Sequence, residues 1–132
     1  MTPLEITPLP RALGLSTHFR GGYCVAALSG ELDIASAPEL REQLRRVLRP
    51  DASRLIVDLS HVSFCDASGL AVLVGTNRRA RLLGGVLRLA APAPPVLEAL
   101  RITGLDLQLD VFPTVSAAIT GTKASPRIPD GG

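Results

Sequence analysis

Short runs of consecutive apolar residues recur along the chain, separated by stretches with apolar residues at helical spacing. A strand that is covered on both faces of a parallel sheet is apolar throughout, so the runs predict strands. These runs lie at residues 23–32, 54–59, 86–90 and 107–112. A weaker run at residues 15–19, followed by Gly21 and Gly22, predicts a further strand that forms an opening hairpin.

The stretches between the runs predict four helices. They lie at residues 37–48, 69–83, 94–101 and 114–119. Ser36 and Glu39 form a capping-box pattern at the start of the first helix, and Thr114 is expected to cap the last one. The resulting order, ββαβαβαβα, predicts an α/β fold with a single mixed sheet that is parallel except at the opening hairpin.

The length of 132 residues corresponds to one domain. Residues 1–14 contain three prolines and no periodic pattern, which predicts a flexible N-terminal arm. Residues 120–132 have the composition of a disordered C-terminal tail. The folded domain is therefore expected over residues 15–119.

The charge balance argues against direct binding of nucleic acid. Fourteen Lys and Arg residues against twelve Asp and Glu residues give a net charge of +2, and the three phenylalanines and one tyrosine are scattered. These features predict neither a strongly basic surface nor an aromatic stacking platform. The arginines of the first and second helices are interpreted as solvated helix faces.

The sequence also predicts a cytoplasmic location. No apolar run approaches the ~18 residues of a membrane span, and the N-terminus lacks a basic stretch followed by an apolar one. In the cytoplasm Cys24 and Cys65 are expected to stay reduced. His18 and His61 have no nearby cluster of ligand-type residues, so we expect neither a metal site nor a cofactor.

The most informative segment is Asp66-Ala67-Ser68-Gly69, which follows a buried strand and opens the second helix. Asp66 is a favourable N-cap, because its carboxylate can accept hydrogen bonds from the backbone N–H of Ser68 or Gly69. Ser68 then lies in the first helical turn, where its hydroxyl can be exposed while the apolar residues that follow anchor the helix. Asp58, at the end of the preceding strand, is interpreted as a structural residue.

Several roles for Ser68 are compared. A nucleophilic serine needs a general base and an oxyanion hole, but the GxSxG pattern is absent and nothing in the sequence places His18 or His61 as the base. A phosphate-binding loop needs GxxxxGK[ST], and no lysine follows Gly75. A serine that only helps to begin a helix remains an open alternative to a functional one.

The segments as a set resemble a STAS domain, in particular the bacterial anti-sigma factor antagonists. The resemblance extends over residues 15–119, and the matching segments are spread along that range. They are Gly30-Glu31-Leu32-Asp33-Ile34, Val57-Asp58-Leu59, Asp66-Ala67-Ser68-Gly69-Leu70, Gly84-Gly85 and Arg101-Ile102-Thr103-Gly104-Leu105. The residue that is phosphorylated in this family corresponds to Ser68, and Ala67 replaces a serine that is frequent there.

The resemblance implies a regulatory protein that performs no catalysis. The unphosphorylated domain would bind an anti-sigma factor that is also a serine kinase with its own ATP, and so release a sigma factor. Phosphorylation of Ser68 would end this binding, and a serine phosphatase would restore it. The partner-binding residues implied are Asp33, Asp66, Ala67, Ser68 and Gly69, although Asp33 can equally serve only to turn the chain.

Two alternatives stay open at this point. The first is a STAS subunit of a transport or stress-sensing complex, which would dock through the same surface. The second is a nucleotide-binding protein or a serine-nucleophile enzyme, against which the missing base and phosphate loop argue.

Overall fold

The computed structural model describes residues 13–122 and contains a five-stranded sheet with helices on both faces. The strands are β1 Gly14–Arg20, β2 Tyr23–Leu32, β3 Arg54–Cys65, β4 Val86–Ala90 and β5 Asp110–Phe112. The helices are α1 Ala37–Val47, α2 Ala67–Leu82, α3 Pro94–Ile102 and α4 Val115–Thr120. The strands are arranged in chain order; β1 is antiparallel to β2, and the other pairs are parallel. The predicted fold class and element order are confirmed.

The sheet separates two cores of unequal size. Leu55, Val57 and Leu59 of β3 face the larger core, which contains the buried residues of α1, α2 and α3. Ile56, which lies between them, faces the smaller core beneath α4. Because side chains alternate between the faces of a strand, β3 is buried on both sides and reads as a continuous apolar run.

Two strand boundaries differ from the prediction by more than one residue. β3 continues to Cys65 instead of ending at residue 59, because its polar second half still pairs with β2 through two register shifts. β5 begins only at Asp110 instead of residue 107. The residues before it form a 3₁₀ turn over Leu105–Leu107, at the end of which the N–H of Gln108 donates to the carbonyl of Leu105 at 3.0 Å.

The predicted capping box at α1 is wrong. Ser36 has helical dihedral angles and makes no side-chain cap, because its hydroxyl donates to the carbonyl of Glu31 at 2.7 Å. The carboxylate of Glu39 instead accepts a hydrogen bond from Gln43 at 3.0 Å. The predicted cap of α4 is confirmed, since the hydroxyl of Thr114 accepts from the N–H of Ala117 at 2.9 Å.

The secondary structure begins at Gly14 and ends at Thr120, close to the predicted domain limits of 15 and 119. Most of the predicted arm and tail lies outside the described residues, and both stay predictions. Within residues 13–122, no helix is long and apolar enough to cross a membrane.

Ala91, directly after β4, offers a test of the fold. Its φ of 55° lies in the left-handed region, which glycine adopts without steric cost and alanine does not. We expect Ala91→Gly to raise the free energy of unfolding by about 0.5–1 kcal/mol. Urea denaturation would measure the change. The control Ala99→Gly, inside α3, should lower stability by about 1 kcal/mol, and a loss of stability in both variants would contradict the described backbone.

Candidate functional site

The site lies where β2 and β3 end side by side. Leu32 and Cys65 are paired residues of these parallel strands, so Asp33 and Asp66 leave the sheet at the same edge. The carbonyl oxygen of Leu32 accepts a hydrogen bond from the backbone N–H of Asp66 at 3.0 Å. This bond joins the turn after β2 to the start of α2.

Gly69 allows α2 to lie close against the end of β2. A Cβ atom at this position would lie 2.6 Å from the carbonyl oxygen of Leu32 and 2.7 Å from its Cβ. Contacts this short with backbone are relieved only by moving the helix away from the strand. Gly69 is buried, so its contribution to the site is the close approach that it permits.

Asp66 caps α2 as predicted. Its Oδ1 accepts hydrogen bonds from the backbone N–H of Ser68 at 2.8 Å and of Gly69 at 3.2 Å. Its carbonyl oxygen accepts the first helical bond, from the N–H of Leu70 at 2.9 Å. The carboxylate therefore occupies backbone donors that would otherwise attract an anion to this helix end.

Asp33 holds the turn that follows β2. Its Oδ1 accepts hydrogen bonds from the N–H of Ala35 and of Ser36, each at 3.0 Å. The hydroxyl of Ser36 in return accepts from the N–H of Asp33 at 3.0 Å. The turn-forming role considered for Asp33 is therefore present in the structure, and its contact with a partner stays a prediction.

Ser68 lies in the first turn of α2 and is half-buried. Its hydroxyl makes no hydrogen bond to any residue of the described range 13–122. Ala67 beside it is exposed, and two large apolar side chains at this edge are also exposed: Ile34 by 76% and Phe64 by 47%. We call Asp33, Ile34, Phe64, Ala67 and Ser68 the Ser68 surface. It combines a small hydroxyl with apolar side chains, which is a composition suited to docking a protein.

Ile34 and Phe64 were not predicted from the sequence as site residues. Ile34 carried a detectable signal, because it is a large apolar residue in the turn that begins at Asp33. The predicted end of β3 at residue 59 left Phe64 outside the sheet. In the structure β3 continues, and Phe64 pairs with Glu31 of β2.

Two reactive side chains in the second half of β3, Cys65 and His61, contact residues other than Ser68. Burial raises the pKa of the Cys65 thiol to about 12, and the charge of Asp66 acts in the same direction. The thiol therefore stays protonated at neutral pH and is a poor nucleophile. Nδ1 of His61 lies 3.2 Å from the hydroxyl of Ser60.

The two cysteines are free thiols in the structure, as predicted for Cys24 and Cys65. Between residues 13 and 122, no group of three or more His, Cys, Asp and Glu side chains is placed to hold a metal ion.

The fold and the sequence identify the family. The model of the STAS domain matches residues 15–118. This range includes all five strands except Gly14, the first three helices and the first four of the six residues of α4. The chain belongs to the STAS domain family, as the resemblance implied.

Several proteins similar to this chain are named anti-sigma factor antagonists. The anti-sigma-F factor antagonist RsfB of Mycobacterium tuberculosis is 27% identical over 117 residues, which are 86% of this chain and 93% of that protein. The anti-sigma-B factor antagonist of Bacillus subtilis is 37% identical over 84 residues, 64% of this chain and 76% of that protein. A crystal structure of an anti-sigma factor antagonist from Mycobacterium paratuberculosis superposes with a TM-score of 0.77 at 27% identity, covering 89% of this chain and 100% of that one.

The cap made by Asp66 can be tested by mutation. Asp66→Ala removes the acceptor of two backbone N–H groups, so we expect the free energy of unfolding to fall by about 1–2 kcal/mol. Asp66→Asn keeps a side-chain oxygen and should retain most of the stability. Urea denaturation followed by circular dichroism would measure both.

Asp51→Ala is a suitable control, because Asp51 is exposed and its 3.8 Å ion pair with Arg49 lies on the surface. Such pairs contribute at most about 1 kcal/mol. An Asp66→Ala protein as stable as the Asp51→Ala protein would show that the cap is unimportant for α2.

Proposed function

We propose that this protein is an anti-sigma factor antagonist that acts by partner switching. Its unphosphorylated form binds an anti-sigma factor that is also a serine kinase, and a sigma factor is thereby released. The kinase, with its own bound ATP, phosphorylates Ser68 and ends the complex, and a serine phosphatase restores the binding form. The domain performs no chemistry itself, and the role implies a cytoplasmic location, where sigma factors act.

The observation that carries the proposal is the environment of the Ser68 hydroxyl. Ser68 is partly exposed, its hydroxyl has no hydrogen-bond partner among the described residues, and Ile34 and Phe64 at the same end of the sheet are exposed apolar residues. A kinase needs an accessible hydroxyl, and a protein interface needs a surface that packs closely around it. The names of the relatives at 27% and 37% identity support the choice of partner.

The charges around Ser68 support a switch that acts at the interface. A phosphate adds about −1.5 to −2 charges at neutral pH. The nearest backbone donors of α2 already bind Oδ1 of Asp66, so a phosphate on Ser68 has to displace that carboxylate or remain outside it. Because like charges repel, we expect the phosphate to point outward, toward the partner.

A phosphate that points outward opposes binding directly. The partner would have to remove water from a doubly charged group against a surface that fits a small neutral hydroxyl. Desolvating an unpaired charge at an interface typically costs 2–5 kcal/mol or more. Such a cost weakens binding by a factor of about 30 or more without any change in the fold.

Substitution of Ser68 tests the switch. Ser68→Ala stays small and neutral, so it should bind the cognate anti-sigma factor as the wild type does and accept no phosphate. Ser68→Asp adds a charge and should weaken binding by about tenfold, less than phosphate because it carries a single charge. Phosphate incorporation by the cognate kinase and titration calorimetry would measure the two effects.

Ser16→Asp places the same charge on an exposed position of β1 and serves as the control, with binding expected to be unchanged. Incorporation of phosphate into Ser68→Ala at the wild-type level would show that another residue accepts the phosphate, with Ser60 and Ser63 as the next candidates. Equal affinity of the phosphorylated and unphosphorylated proteins would refute the switch.

The role of Asp33 can be separated from its role in the turn. Asp33→Asn keeps an oxygen that can accept from the N–H of Ala35 and Ser36, so the turn and the stability should be preserved. If the carboxylate contacts the partner, as we propose, affinity for the anti-sigma factor should fall by about tenfold.

Asp58→Asn is the matched control, because Oδ1 of Asp58 also accepts a local backbone hydrogen bond, from Ser60 at 3.0 Å. Normal binding by Asp33→Asn, together with weak binding by Asp33→Ala, would limit Asp33 to holding the turn.

A further inference from the structure

A groove of about 280 Å³ lies between α1 and α2 on the protein surface. Its floor contains Leu44 and Val72, which are buried, and Thr76. The hydroxyl of Thr76 donates to the carbonyl of Val72 at 2.8 Å, so its hydrogen is not available to a ligand. The floor of the groove is therefore suited to apolar side chains.

Four arginines surround the groove: Arg41 and Arg45 from α1, and Arg78 and Arg79 from α2. All four are exposed, and none of them forms an ion pair with another residue of the described part of the chain. Arg46, also on α1 but outside the groove, is paired with Glu42 at 3.6 Å. The groove is therefore lined by unpaired positive charges, which an acidic ligand would neutralise.

Gly75 opens the middle of the groove. A Cβ atom built on this exposed residue meets no heavy atom within 4 Å. Leu82, farther along the same helix, lines the groove and is 81% exposed. An apolar side chain of a ligand would find space at Gly75 and an apolar contact at Leu82.

We propose that this groove binds an acidic amphipathic segment of a protein partner, with an apolar side chain over Gly75 and carboxylates beside the arginines. The shape favours a protein over a lipid bilayer, because an apolar floor between two helices receives a side chain, whereas membrane-binding helices insert projecting apolar residues. The absence of aromatic side chains among the lining residues disfavours single-stranded nucleic acid.

The groove continues the face of α2 that begins at Ser68. Ala71 and Gly75 follow at intervals of three and four residues, which places them along one side of a helix. Ser68 and Gly75 are about 10 Å apart along the helix axis. One partner of ordinary interface size would cover both, but the groove does not depend on phosphorylation or on the proposed function.

A synthetic peptide tests the groove directly. The probe is a 15-residue helical peptide with leucines on one face and glutamates flanking them, and its control is a scrambled peptide of equal composition. Titration into the ¹⁵N-labelled full chain should shift the amide signals of Val72, Gly75 and Thr76. The scrambled peptide should bind at least about tenfold more weakly.

Reversing the charge of the groove arginines tests whether they bind the peptide. The double variant Arg45→Glu/Arg78→Glu should weaken binding of the amphipathic peptide by about tenfold or more. The matched control is Arg46→Glu/Arg81→Glu, which makes the same change of charge on the same two helices outside the groove and should change affinity by less than about twofold. Gly75→Leu should fill the groove and also weaken binding, while leaving α2 intact.

The outcomes separate this proposal from the alternatives. Equal losses in the two double variants, equal binding of the scrambled peptide, or amide shifts confined to other elements would overturn it. So would absence of peptide binding together with groove-dependent binding of vesicles that contain 30% phosphatidylglycerol, or of an oligothymidine, since the ligand would then be a membrane or a nucleic acid. The peptide should bind Ser68→Asp within about twofold of the wild type, so failure here and failure of the switch are distinguishable.

Discussion

The carbonyl oxygen of Leu32 fixes the geometry on which the site depends. It accepts the N–H of Asp66 and lies 2.6 Å from the place where a side chain on Gly69 would begin. Strand β2 and helix α2 are therefore held in contact at their ends. The direction of the first helical turn, and with it the position of the Ser68 hydroxyl, follows from this contact because α2 cannot tilt without breaking it.

The same contact explains why two aspartates lie at the end of the sheet where Ser68, which is proposed to become negatively charged, begins α2. Asp33 and Asp66 each follow the last residue of one of two paired strands, and each uses Oδ1 to bind backbone N–H groups. Both carboxylates are required by the local backbone before any partner arrives. Repulsion of a phosphate on Ser68 would thus be a consequence of how the two strands end, and the proposed switch would need no separate structural element.

The fold and the N-cap of α2 could be predicted from the sequence because they depend on local patterns. The apolar runs predicted the first and last residues of β2 and β4. The residue type and position of Asp66 were sufficient to predict that it caps α2. The role of Ser36 could not be predicted, because its hydroxyl bonds to Glu31, on the strand before the turn. The arginines of α1 and α2 were interpreted as separate solvated faces, and only the packing of the two helices places them around one groove.

The charges along α2 stabilise the helix and would also orient a charged partner that binds to it. The helix has no acidic residue of its own; Asp66 caps its N-terminus, and Arg79 and Arg81 lie in its last turn. This arrangement complements the helix dipole at both ends. It also makes the exposed face negative near Ser68 and positive along the groove, so a partner with the opposite pattern would dock in one orientation. If Ser68 is phosphorylated as proposed, the charge would change at one end of that face and the groove would stay as it was, so the phosphate would weaken an interface there without removing the contacts proposed for the groove.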